Sequence, residues 1–177
     1  MNLSESWSKL RDYVDHWGIT AEERQRIFPC DLVMPDAQES FYRGIEIEAS
    51  PQVVHRWLCQ MKVAPYSYDW IDNLGRRSPT ELTPGLENLE RGQKFMFIFR
   101  LVDFDESQVT IRTSSPLAGE TVISYQVFEN PTRLLVKLNV KYPPVPLKWL
   151  IRFVLRWGDW VMMRKQLLTF KALAERS

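Results

Sequence analysis

Charged groups set among apolar residues are the chemistry this sequence offers, because the familiar catalytic signatures are missing. His16 and His55 are the only imidazoles, and Cys30 and Cys59 the only thiols. The two cysteines lack CxxC spacing, and no His, Cys and Asp cluster has the spacing of metal ligands. There is no glycine-rich phosphate loop and no GxSxG elbow. No metal, no cofactor and no catalytic residue is therefore assigned. Any proton transfer would fall to a tyrosine, an arginine or a carboxylate whose proton affinity burial has shifted. His55 sits among the apolar residues of a helix, where packing accounts for it.

The densest stretch runs from Ala64 to Pro79 and holds Tyr66, Tyr68, Trp70, Asp69, Asp72, Arg76 and Arg77. Asp69 or Asp72 suits a short helix through Leu74, which Gly75 closes. Two readings stand side by side. In one, this is a surface turn whose arginines pair with Asp69, Asp72 or the C-terminal helix. In the other it is a pocket rim, with Tyr66, Tyr68 and Trp70 supplying ring surface and Arg76 or Arg77 holding an anionic group. Arg100, Arg164 and Lys165 each fall on or near an otherwise apolar face, where a charge either pairs with a carboxylate or meets a polar ligand group.

These residues have to be positioned by the elements around them. The longest is a helix expected from Pro146 to Arg176, about 30 residues and roughly 45 Å. Lys148, Arg152, Arg156 and Asp159 form its polar stripe, while Leu147, Leu150, Ile151, Val154, Trp157 and Val161 centre an apolar arc expected to lie on a sheet. Trp157, Trp160, Met162 and Met163 suit the wall of an apolar cavity. The sheet comes from strands at 43–48, 95–102, 109–113, 121–128 and 133–142, with short turns that imply an antiparallel meander. In the 95–102 strand both faces are apolar, so one of them, with Ile98, is expected to line a cavity. Ser50-Pro51 starts a helix carrying Val53, Val54, Trp57, Leu58 and Met61. Ahead of the domain, helices are expected at 4–17 and 20–28, the second ended by Pro29, with a connector from Cys30 to Ser40.

Composition narrows the class. A chain of 177 residues suits a single core, and its 45% hydrophobic and 25% charged content is that of an ordinary globular protein. A net charge of +1 argues against a nucleic-acid partner or a polybasic membrane patch. The N-terminus lacks the basic and then apolar run of a signal peptide. The most apolar stretch, 147–163, carries Lys148, Arg152, Arg156 and Asp159, so no integral membrane span is expected. A cytoplasmic protein with reduced thiols is the expectation; oligomeric state is not legible.

The strand–helix–helix–strands–helix order, Ile45-Glu46-Ile47-Glu48-Ala49-Ser50-Pro51 leading to Val54-His55-Arg56-Trp57-Leu58, the Tyr66–Trp70 and Gly75–Pro79 segments, and the closing Gly158–Leu168 together resemble the START and polyketide-cyclase superfamily (SRPBCC). More narrowly, they resemble its bacterial members of unassigned function. The resemblance covers 41–176 and implies an α+β helix-grip fold, a curved antiparallel sheet around a long C-terminal helix, with residues 1–40 as an added helical arm and 41–177 as the START-like domain. It implies a cavity for a hydrophobic small molecule, lipid- or polyketide-like, used for binding or carriage; cyclase or dehydratase chemistry on a polyketide-like substrate is the alternative. The residues expected to contact that ligand are Tyr66, Tyr68, Trp70, Arg76, Arg77, Ile98, Arg100, Trp157, Trp160, Val161 and Arg164.

Overall fold

The computed structural model describes residues 3–146 and 148–177, so Leu147, expected on the apolar arc of the last helix, lies outside the described residues. Seven strands form one sheet, with the order β1-β2-β7-β6-β5-β4-β3. They are β1 (His16–Trp17), β2 (Glu39–Glu46), β3 (Lys94–Phe95), β4 (Phe99–Phe104), β5 (Gln108–Ser115), β6 (Gly119–Phe128) and β7 (Arg133–Lys141). All neighbours are antiparallel except β1 and β2, which run parallel. The helices are α1 (Leu3–Asp15), α2 (Ala21–Arg24), α3 (Pro29–Val33), α4 (Pro51–Cys59), α5 (Asp69–Asp72) and α6 (Lys148–Ala174). This is the expected α+β helix-grip architecture, with α6 lying over one face of the sheet.

The alternation in β7 decides which side each residue faces. Leu134, Val136, Leu138 and Val140 join the main core beneath α6, while Leu135 joins a second cluster on the other face. α4 begins as its sequence dictates, with Ser50 Oγ accepting from Val53 N at 3.4 Å and Pro51 in the first turn. Its Val54, Trp57 and Leu58 pack with Leu167, Phe170 and Leu173 of α6, each buried apolar side chain contributing about 1.5–3 kcal/mol.

The N-terminal segments cover the opposite face. Phe28, Cys30 and Met34 pack on Val122 and Leu135. Cys30 N donates to Ser124 Oγ at 2.8 Å, Asn139 Nδ2 donates to Asp31 Oδ1 at 3.0 Å, and Lys137 pairs with Asp31 at 2.6 Å. Chain reversal between β1 and α2 uses Gly18 at φ +73°, where backbone meets backbone: a Cβ there would stand 2.0 Å from Gly44 O.

Four expectations are corrected. The first helix stops at Asp15, and His16–Trp17 pair with Tyr42–Arg43 as a sheet edge. The second spans only Ala21–Arg24. Pro29 opens a helix where a connector was expected, because proline suits a first turn and Asp31 Oδ2 accepts from Phe28 N at 2.9 Å. Residues 95–102 are a hairpin, not one strand: Met96 and Phe97 take φ of 41° and 64°, and Phe95 pairs with Phe99. Met96 N is drawn to Met61 O at 2.9 Å, a tertiary bond that no alternation of side chains announces.

Candidate functional site

Two adjoining cavities lie between the inner face of the sheet and α6, of about 540 and 420 Å³. Ile98, Phe99, Ile123 and Asp159 belong to the walls of both. The larger is completed by Phe41, Leu138 and Val140 from the sheet, by Leu155 from α6, and by the ends of β5 and β6. The smaller is completed by Ser67, Asp72 and Leu74 around α5, by Met96 and Phe97 of the hairpin, and by Met162, Met163 and Gln166 of α6. Ile98, Phe97 and Leu74 are exposed wall residues, so the hairpin and the turn after α5 mark the opening.

Asp159 reaches the cavity because of how α6 is rotated. Counted at about 100° per residue, Arg152, Arg156 and Asp159 share a face with Met163, Gln166, Leu167 and Phe170. That face is the one turned to the sheet. Arg152 pairs with Glu39, Arg156 with Asp15 at 2.8 Å and Glu39 at 3.3 Å, and Asp159 with Arg43 at 2.8 Å. Of the expected apolar arc, Leu150, Val154 and Val161 are therefore exposed, while Ile151 still packs against the main core. The ion pairs of Arg152, Arg156 and Asp159 thus take the sheet-facing side of this half in place of Leu150, Val154 and Val161.

Arg43 is fully buried on the inner face of β2, opposite Val136. Besides Asp159 it donates to Tyr42 O at 2.8 Å and Asp15 O at 3.1 Å. Burial raises the proton affinity of Asp159, and the attraction of Arg43 offsets this only in part. Deeper in, Tyr125 Oη donates to Gln166 Oε1 at 2.9 Å, and Gln166 Nε2 donates to Pro65 O at 2.6 Å. Burial also raises the Tyr125 phenol. Asp72 is pushed upward by burial as well, and its Oδ1 is buried with no hydrogen-bond partner among the described residues. The apolar walls thus hold Asp159, Asp72 and Gln166, with Arg43 behind Asp159 and Tyr125 behind Gln166, both outside the walls. Among the described residues no three His, Cys, Asp or Glu side chains gather as a metal site.

The residues picked out from sequence are dispersed. Ile98 is in the wall of both cavities. Tyr66 is buried in the core between Trp57 and Phe170, ring centroids 5.9 and 5.4 Å away, with its phenol pushed up to about 12 by burial. Tyr68 is half-buried just before α5, and Trp70 is 76% exposed. Arg76 and Arg77 are exposed in the turn beyond Asp72, outside both walls. Arg100 is exposed on β4 and donates to Gly92 O at 3.1 Å. Trp157 and Trp160 lie on the α1 side of α6, Trp160 at 6.2 Å from the Tyr13 ring. Val161 is exposed, and Arg164 stacks over Trp17 at 5.6 Å. Asp72, Arg43, Asp159, Tyr125 and Gln166 carry the polar chemistry instead. Arg43 had a readable signal: it shares strand parity with Phe41 and Ile45, a charge on a core face.

Solved structures of similar fold share little sequence with this chain. The di-domain ARO/CYC BexL from the BE-7585A biosynthetic pathway aligns with a TM-score of 0.53 at 14% identity, over 81% of this chain and 53% of that one. The di-domain ARO/CYC StfQ from the steffimycin biosynthetic pathway gives 0.52 at 13% identity, over 99% of this chain and 61% of that one. A hypothetical protein from Helicobacter pylori gives 0.52 at 11% identity, over 84% and 95%. The chain thus spans little more than half of each di-domain protein, and the likeness is one of fold. No family model matches the sequence, and no curated protein does. No described helix is long and apolar enough to cross a membrane.

Proposed function

We propose that this chain binds an apolar small molecule with at least one polar group in the paired cavities beneath α6. The observation that carries this is the shared wall: Ile98, Phe99 and Ile123 make a continuous apolar lining, and Asp159 is the charged group common to both lobes. Cavities of this size and character are what small-molecule sites require, apolar surface for affinity and few polar groups for orientation. Carriage of a lipid- or polyketide-like molecule is the reading favoured. The two di-domain ARO/CYC neighbours from biosynthetic pathways support a polyketide-like ligand, by analogy of fold alone.

A second reading, acid–base chemistry on a polyketide-like substrate, is favoured by one observation. Asp159 is a half-buried carboxylate in a cavity wall whose proton affinity is raised by burial, and such a group is a candidate to exchange a proton with a bound molecule.

A neutral apolar fluorescent dye such as Nile red, followed together with the melting temperature, tests binding. Ile123→Trp, which fills the shared wall, should lower dye affinity by about tenfold or more while the protein still melts cooperatively. Equal binding by the variant would place the dye elsewhere and overturn the site. Turnover of a bound substrate that Asp159→Asn abolishes would favour the second reading over carriage.

A further inference from the structure

We infer that the smaller lobe selects a ligand carrying a protonated amine, a cationic amphiphile rather than a fatty-acid-like anion. This rests on the cavity-binding reading and specifies the substrate class for its lobe between α5, the hairpin and α6.

The lining is the argument. Asp72 and Asp159 are the charged residues in this wall, and no lysine, arginine or histidine is among the residues that form it. Arg43 stands behind Asp159, outside the wall, with its terminal nitrogens already donating to Asp159, Asp15 O and Tyr42 O. It neutralises Asp159 and leaves Asp72 without a counter-ion. Asp72 Oδ1 is buried with no partner at hydrogen-bond geometry among the described residues; the nearby Ser67 hydroxyl and the Tyr68 and Asp72 amides lower its proton affinity only in part against burial, and Ser67 Oγ lies 3.0 Å from Met162 O. Asp69, the other nearby carboxylate, is occupied by Ser78 N and Ser78 Oγ at 2.8 and 2.6 Å. A buried acceptor left unpaired is costly, and a ligand that donates to it recovers that cost on binding.

The remaining wall suits the same chemistry. Met96, Met162 and Met163 present polarisable thioethers, and Phe97 and Phe99 present ring faces. Ring faces attract a cation, while methionines adapt to the apolar body behind it. A carboxylate ligand would be desolvated against the unpaired Asp72 with no cationic side chain in the wall to receive it.

The test uses three probes of one shape, naphthylmethylamine, naphthylmethanol and naphthoate, measured by calorimetry at neutral pH on the full chain. The amine should bind about tenfold or more tightly than the alcohol, and the naphthoate more weakly than either. Asp72→Asn should bring amine and alcohol within about threefold of each other, with a cooperative melt confirming the fold. If the alcohol binds as tightly as the amine, charge selection is overturned while the cavity reading stands. If the amine preference persists in Asp72→Asn, the assignment to this lobe is overturned. If none of the three binds, and the dye does not either, both readings fall together.

Discussion

The two halves of α6 use one helix face in opposite ways. From Met163 to Ala174 the face toward the sheet is apolar apart from Gln166, and Leu167, Phe170 and Leu173 are sealed against α4 and the strands. From Lys148 to Asp159 that same face carries Arg152, Arg156 and Asp159, paired with Glu39, Asp15 and Arg43. Ile151 and Leu155 of this half still reach the core, but Trp149, Phe153 and Val154 are displaced outward, 67, 58 and 58% exposed. A groove of about 780 Å³ with Trp7, Trp149, Phe153 and Trp157 in its walls runs between α1 and this half. The back half is held by packing and the front half by ion pairs. The cavity sits where one regime passes into the other, at Asp159, Met162 and Met163.

The largest effect should come from breaking the pair at that junction. Arg43→Met leaves Asp159 buried without its partner, and such a loss costs about 3–5 kcal/mol. Denaturant unfolding measures it, and adding Asp159→Leu should restore much of the loss. A double variant no better than the single one would mean the pair is not what positions the helix. Next comes a matched comparison along α6. Leu167→Ala in the sealed half should cost about 2–5 kcal/mol, whereas Val154→Ala in the front half should stay within about 0.5 kcal/mol. Equal losses would show that the front half is packed after all.

Much of the fold was legible in sequence, and the rotation of α6 was not. The clean alternation of 133–141, the Ser50-Pro51 start and the short turns between β4 and β7 each follow from local rules, and the structure agrees with them. The front of α6 was read from its own composition, which places charges toward water. Its orientation is instead fixed by the back half, whose apolar stripe continues the line of Arg152, Arg156 and Asp159. Counting the stripe from Leu167 and Phe170 backwards would have put those charges on the sheet. The hairpin at Met96–Phe97 was hidden for another reason, since Phe95–Val102 alternates as well as a continuous strand does. The aromatic turn at 66–77 drew attention by composition, yet Asp72 and Ser67 are what it contributes to the cavity wall.

The smallest expected effect is also the most discriminating, because acid should loosen one half of α6 and spare the other. Glu39 accepts from Tyr142 Oη, Arg152 and Arg156, and so ties the front half to β2. Burial alone would raise its carboxyl, but those three donors outweigh burial and hold it below the ordinary value of 4.5. The fold therefore favours the ionised form. That stabilisation is complete above 4.5 and is lost as pH falls through the lower folded value. Its size should be about 1 kcal/mol, as for half-exposed ion pairs, too small to unfold the domain. Hydrogen-exchange protection factors at neutral pH and near pH 3, about the range where a depressed carboxylate titrates, would register it. Amides of residues 152–158 should lose protection on acidification and those of 167–173 should keep it. Glu39→Gln should show the lower front-half protection already at neutral pH and respond little to acid. Uniform loss along the helix would mean that its two halves are held by one cooperative core, and the division between packing and ion pairs would fail.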